Sequence, residues 1–200
     1  MPKRKTHHRR ELHVTKHIDH KLEGLYSISV TTNNEWCNGA AAHVEGNVCA
    51  KCYARKLEAL RPTLHHVLTM NARLLSEYPM DCPIPRFPRG SLVRFNAYGE
   101  LLNEAHLWNL MDIAIAYDNP EVTFALWTKR IALAGPIVKP PNMITIYSQP
   151  LIDGPTYVPP GFDGTYVVHP DGSPCGDRCI ECRACYGGSK APFVIHQRLH

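Results

Sequence analysis

The sequence predicts an α/β protein: a partial, open parallel β/α barrel or sheet in a single domain, with cysteine-rich loops suited to holding a cluster. Three observations lead there. Hydrophobic spacing switches repeatedly between two residues and about 3.6 residues, the mark of strands alternating with helices. Some of the strand segments are apolar on both faces, as central parallel strands are. Seven of the eight cysteines fall into two knots near opposite ends, Cys37, Cys49 and Cys52 in one and Cys175, Cys179, Cys182 and Cys185 in the other.

The chain opens on a basic arm. Residues 1–23 hold seven Lys or Arg, three acidic side chains and five of the twelve histidines, while the remaining 177 residues carry fifteen charges of each sign. The arm is expected to be a flexible leader ahead of a domain over residues 24–200, with little apolar surface to bury. Lys3-Arg4-Lys5 and Arg9-Arg10 would give it a weak nucleic-acid contact through counterion release. Tyr26, Ile28 and Val30 then alternate with Leu25, Ser27 and Ser29, which predicts a half-buried strand. Beyond Cys49 and Cys52, Leu57 and Leu60 continue a short helix that Pro62 stops. Thr63 stands as the N-cap of a second helix, with Leu64, Val67, Leu68, Asn71, Leu75 and Tyr78 on one face and Pro79 at its end. Residues 92–98 read as a strand. Asn103 opens a helix that turns Leu107, Leu110, Met111, Ala114 and Tyr117 inward. Residues 122–127 are apolar on both faces, residues 143–147 form another strand, and residues 166–169 a shorter one. Strand–helix–strand order implies parallel strands joined by right-handed crossovers, in too few units to close an eight-stranded barrel. The Pro- and Gly-rich residues 136–164 read as surface loops around one of these strands.

The first 23 residues contain no apolar signal region, and no apolar stretch approaches the roughly 18 residues of a membrane span. A cytoplasmic protein without a membrane partner is expected. An even number of cysteines would suit disulfides, but cytoplasmic thiols stay reduced, and clustered ones more often bind metal. Zinc takes four ligands, as Cys49-x2-Cys52 with Cys182-x2-Cys185 would supply, and would leave three of the seven clustered cysteines idle. Cys175-x3-Cys179-x2-Cys182-x2-Cys185 contains the Cys-x2-Cys-x2-Cys spacing of loops that hold [4Fe–4S] clusters. One or two such clusters on the seven cysteines are therefore expected, with Cys82 a bystander.

Parallel α/β folds carry their chemistry at the carboxyl ends of strands. That edge should present Asn96, Tyr98, Glu100, Thr128, Lys129, Arg130, Ser148, Gln149 and His169 around the first cysteine knot. Arg94, Glu100 and Lys129 are the candidate charges for a small-molecule ligand at the cluster.

Several segments resemble the gene product 88 family of small bacteriophage proteins. They are Cys49-Ala-Lys-Cys52-Tyr-Ala-Arg-Lys56, Met70-Asn71-Ala72-Arg73-Leu74-Leu75, Val93-Arg94-Phe95 and Gly99-Glu100. Phe124-Ala-Leu-Trp-Thr-Lys129, Asn142-Met-Ile-Thr-Ile-Tyr-Ser148, the run from Cys175 to Cys185-Tyr186, and Phe193-Val-Ile-His196 complete the set. The resemblance spans residues 24–200 and implies an iron–sulfur protein in the host cytoplasm. Where relatives have His-x-Ser-Gly-Asp, this chain reads Asn96-Ala97-Tyr98-Gly99-Glu100, which keeps the acid and loses the histidine.

Three cysteines after the first strand also look like the placement in radical S-adenosylmethionine enzymes. The spacing departs from theirs, since eleven residues separate Cys37 from Cys49. Cys175-x3-Cys179-x2-Cys182 matches the bare spacing, but Glu181 stands where an aromatic is usual. This likeness implies an open cluster iron able to take S-adenosylmethionine, and a redox or radical-type enzyme. The alternative is a non-catalytic protein whose cluster staples the two ends together while the arm binds nucleic acid or a host partner.

Overall fold

A computed structural model describes residues 10–18, 20–42, 46–117, 121–171, 175, 178–187 and 191–198. These build one seven-stranded sheet: β1 Thr15–Lys16, β2 Tyr26–Ile28, β3 Ser91–Phe95, β4 Val122–Thr128, β5 Met143–Ile152, β6 Gly164–His169 and β7 Phe193–Arg198. The strands lie side by side in chain order. Only β1 runs antiparallel to its neighbour, and every later pair is parallel. An order without reversals is that of a β/α barrel wall and not of a doubly wound sheet. The wall is left open, with β1 and β7 at its two edges. The helices are α1 Glu35–Ala42, α2 Tyr53–Leu60, α3 Pro62–Leu75, α4 Glu104–Ile115, α5 Ile131–Ala134 and α6 Cys179–Cys182.

Alternation along the strands divides the sheet into two faces with different covers. Ile28, Val93, Phe95, Phe124, Leu126, Met143 and Tyr147 point into the main core with Ala72, Leu74 and Leu75 of α3 and Leu107, Leu110, Ile113 and Ala114 of α4. Phe95 and Phe124 stack there at 5.1 Å between centroids. On the opposite face Leu25, Leu92, Ala125 and Trp127 meet Cys179, Ile180, Cys185 and Tyr186. The cysteine-bearing tail is thus the second layer of the sheet.

Helix α3 has Arg61 as its N-cap, two residues ahead of the expected Thr63, because Pro62 takes the N1 position, where a missing N–H has no cost. It ends at Leu75 and leaves Tyr78 exposed beyond it. Strand β3 stops at Phe95, since Asn96 turns the chain with φ 59°. Helix α1 and strand β7 lack a readable period: α1 has no fully buried side chain, and β7 lies on an edge. Asn103 caps α4 as its position predicts, its side-chain oxygen accepting from His106 N at 2.9 Å, and its amide donates to Ser76 O at 3.0 Å. Asn103→Ala is expected to cost about 1 kcal/mol in chemical denaturation, the usual worth of such a cap.

Of the expected arm, residues 1–9 and Asp19 lie outside the described residues, so Lys3-Arg4-Lys5 and Arg9 do too. Residues 10–18 sit on the domain. Leu12 is buried in the main core, and His13 exchanges two backbone hydrogen bonds with the buried Asn71 side chain, at 2.8 and 2.9 Å. Thr15 and Lys16 add the edge strand to β2. Asn71, on α3, supplies the attachment that the arm's own composition does not announce.

Candidate functional site

The N-terminal thiols hang on the loop and helices that follow β2. Asn34 caps α1, its side-chain oxygen accepting from Cys37 N at 2.9 Å, while its amide donates to Cys37 Sγ at 3.3 Å. Asn47 accepts from Cys49 N at 2.8 Å and pairs with Leu151 at the end of β5. Cys52 leads directly into α2. Glu58, on α2, reaches back to the Cys37 loop and is buried there. It accepts from Thr31 Oγ1, from Thr32 N at 2.7 Å and from Thr32 Oγ1 at 2.5 Å, with His65 Nδ1 at 2.8 Å. Burial alone would raise the Glu58 carboxyl, but these bonds hold it below its ordinary value. One carboxylate therefore ties α2, which Cys52 precedes, to the loop ahead of α1, which carries Cys37.

Glu100 and Lys129 adjoin these thiols, as the carboxyl-edge rule expects. Burial pushes the Cys37 thiol up to about 12, against the lowering effect of Asn34, and Glu100 and Cys49 add to the rise. Burial also raises Cys49, which Lys129 opposes. Glu100 is buried and its oxygens are occupied: they accept from Leu101 N at 2.8 Å, Thr128 Oγ1 at 2.5 Å and Lys129 N at 2.8 Å. Through these bonds it positions the end of β4. Lys129 Nζ donates to Ser148 Oγ at 3.1 Å.

Arg94 does not join them. It lies within β3 on the tail-covered face, its register partners being Ser27 and Ala125. Its guanidinium sits 4.1 Å from the centroid of the Trp127 ring. The titratable groups it acts on are Cys179, Cys185, Tyr166 and Tyr186. Arg94 Nε and Trp127 Nε1 are both enclosed without a hydrogen-bond partner among the described residues, and Arg94 has no ion pair there. Burial pushes Cys185 up to about 12, and Arg94 works against that rise.

The thiols thus form two groups. Cys37, Cys49 and Cys52 influence one another, as do Cys175, Cys179, Cys182 and Cys185, and no electrostatic influence between the groups stands out among the described residues. Tyr166 lies between them, acted on by Tyr53 from the first group's helix and by Cys175 and Cys185 of the second. Cys82 packs at the margin of the main core, away from both. All eight cysteines are free thiols, and among the described residues no three His, Cys, Asp or Glu side chains converge on a metal position.

Elsewhere on the rim, Arg130 donates to Leu101 O and Leu102 O at 2.9 and 2.7 Å, and Gln149 to Pro155 O at 3.0 Å, both fastening loops. Glu58, Trp127, Tyr53 and Tyr166 carry no sequence signal for these roles, since their partners lie far away in the chain. Asn34 had one: an Asn three residues ahead of Cys37 is an N-cap spacing.

Fold and site together define an α/β protein with an open, sequentially ordered sheet and two thiol groups disposed about one of its faces. The chain belongs to the gene product 88 family of bacteriophage proteins, whose sequence model matches residues 5–171. The match takes in most of the N-terminal segment, where resemblance was expected to begin at residue 24. It ends before Cys175, so the three-thiol group lies inside it and the four-thiol group beyond it. No curated protein and no solved structure matches the chain. No helix among the described residues is long and apolar enough to cross a membrane.

Proposed function

We propose that this protein binds iron–sulfur clusters at its two thiol groups and acts as a redox or radical-type enzyme at the N-terminal one. The observation that carries the reading is Arg94: a half-buried guanidinium with no carboxylate partner among the described residues, whose charge acts on Cys179 and Cys185. A cation inside a protein needs a compensating anion, and four neutral thiols supply none. Four metal-bound thiolates would. The donor set fits soft-metal chemistry. Loading requires side-chain rotations within the loops, because the thiols do not yet converge.

In this reading the four-thiol group saturates its cluster and also fastens the tail over the sheet, the structural role that the packing of Cys179 and Cys185 favours. The three-thiol group leaves one iron to a ligand, beside Lys129 and Ser148. Such clusters supply one-electron transfer, and an open iron adds a position for a chelating anion such as S-adenosylmethionine. Lys129 would hold that anion's carboxylate, Glu100 would fix the Lys129 backbone, and Asn34 would hold Cys37 in place.

The test is anaerobic purification after iron-replete expression, with iron and sulfide quantification and electron paramagnetic resonance. About eight irons and eight sulfides per chain are expected for two four-iron clusters. Cys49→Ala and Cys179→Ala should each remove about half. Added S-adenosylmethionine should alter the spectrum of Cys179→Ala and leave that of Cys49→Ala unchanged. A colourless protein with stoichiometric zinc would overturn the proposal. Full cluster content indifferent to every chelating anion would overturn the enzymatic part and leave the structural one.

A further inference from the structure

A chain of three titratable side chains at the carboxyl ends of β5, β6 and β7 takes no part in either thiol group. Asp153 Oδ1 lies 2.6 Å from His169 Nδ1, and His169 Nε2 lies 2.8 Å from His196 Nδ1. The two rings meet edge to edge across this contact, with centroids 5.0 Å apart and planes 28° from parallel. The backbone sets this arrangement. His169 ends β6, and His196 stands in β7 opposite Val167, two positions back, so both imidazoles project from the same face of the parallel pair. Asp153 turns back from β5 with φ 55°, its N–H donating to Val168 O at 2.9 Å, which brings its carboxylate behind His169.

The proton positions follow from donor and acceptor inventory. An ionised carboxylate only accepts, so His169 Nδ1 carries its hydrogen toward Asp153. In the neutral ring Nε2 is then a lone pair, and the hydrogen between the rings belongs to His196 Nδ1. Two imidazole nitrogens face each other across one proton, and one of them is backed by a carboxylate. Proteins place a carboxylate behind one ring nitrogen in this way to fix the tautomer and orientation of a metal-binding histidine.

We propose that His169 Nε2 and His196 Nδ1 form a binding site for a divalent transition-metal ion of the zinc or nickel class, with Asp153 orienting His169. The ion takes the place of the shared hydrogen, which His196 carries on Nε2 instead once its Nδ1 binds the metal, so two neutral rings bind the ion with no net proton released. At metal–nitrogen distances of about 2.0–2.1 Å a tetrahedral ion separates its two nitrogens by about 3.3 Å, so the rings must part by roughly 0.5 Å. The partly exposed edge allows this, with the His169 side chain 25% and Asp153 59% accessible. No third His, Cys, Asp or Glu among the described residues converges with the pair, so water completes the coordination. The site is independent of the iron–sulfur reading.

Nickel titration of anaerobically purified protein carrying 15N-labelled histidine tests it, because each ring reports separately from the thiols and from the histidines of residues 1–23. Substoichiometric Ni2+ is expected to broaden the His169 and His196 ring signals first. Asp153→Asn should weaken the affinity read at those rings by roughly 10–100-fold, as loss of a carboxylate that orients a metal-binding histidine does. His196→Ala should abolish broadening at His169 at the same nickel concentration, with an unchanged thermal midpoint showing that the edge strand is intact. If His196→Ala shifts that midpoint, His169→Gln read at His196 serves the same purpose. Equal nickel affinity in wild type and Asp153→Asn, or broadening of other histidines ahead of these two, would overturn the proposal.

Discussion

Replacement of Glu58 by alanine is expected to cost the fold about 3–5 kcal/mol, because it strands several buried donors at once. Thr31 and Thr32 are 6% and 4% exposed, and Glu58 itself 3%. The Thr32 N–H and both hydroxyls have this carboxylate as their acceptor. Glu58→Gln keeps the shape and one acceptor oxygen and should cost less, about 1–2 kcal/mol. Chemical denaturation at neutral pH measures both. The pH dependence carries a second signature. Glu58 titrates below its ordinary value of 4.5 in the folded state, so its contribution is complete above that value and is lost as pH falls through the lower folded one. Wild-type stability should therefore fall more steeply than that of Glu58→Gln on acidification below about pH 4.5. Parallel curves for the two would show that the carboxylate is not held as described. Because Glu58 joins the loop ahead of α1, which carries Cys37, to α2, which Cys52 precedes, the alanine variant should also expose the Cys37 thiol to faster alkylation before it unfolds globally.

Gly99→Ala is expected to be the most damaging single methyl on the carboxyl edge. Gly99 has φ 77°, and a Cβ there would lie 2.4 Å from Val30 O and 2.9 Å from Val30 C. Both are backbone atoms at the end of the strand segment to which Tyr98 O is bonded through Val30 N, at 3.3 Å. They cannot rotate away. The left-handed conformation costs about 1–2 kcal/mol for a side-chain-bearing residue, and forced overpacking typically another 1–3, which together give about 2–5 kcal/mol. Gly90 separates the two causes, since it has φ 79° and nothing within 4 Å of the would-be Cβ. Gly90→Ala should show only the conformational cost, about 1 kcal/mol. A Gly99→Ala loss no larger than that of Gly90→Ala would mean that β2 and the Gly99 turn do not approach as described. Displacing Gly99 also moves Glu100, and with it the Lys129 backbone that Glu100 accepts from at 2.8 Å.

Individual elements show what is legible in a chain like this. Residues 122–127 and 143–147 could be read as central strands because burial on both faces demands continuous apolar runs, and both lie inside the sheet as β4 and β5. Asn103 could be read as a helix start because capping is a contact between residues three apart. Helix α1 could not, since none of its side chains is fully buried and Gly39 lies within it. Of the three charges expected near the cluster, Glu100 and Lys129 act on the N-terminal thiols, because a residue just past a strand end lies at the sheet's carboxyl edge. Arg94 does not, because a side chain inside a strand is assigned by face and not by edge. Its face became known only once the tail was seen to cover it.

The sequence by itself determined the parallel α/β class, the open sheet, the alternation of elements and the gathering of seven cysteines into a group of three and a group of four. All of these follow from local periodicity and spacing, which the backbone reads over a few residues. Only the tertiary structure decided that the four-cysteine tail forms the second layer of the sheet, that Arg94 serves it, and that Glu58 braces the other group. It alone also brought Asp153, His169 and His196 together. Each of these contacts joins groups distant along the chain or held on separate strands, and the register of neighbouring strands that sets them is fixed by the packing of whole faces.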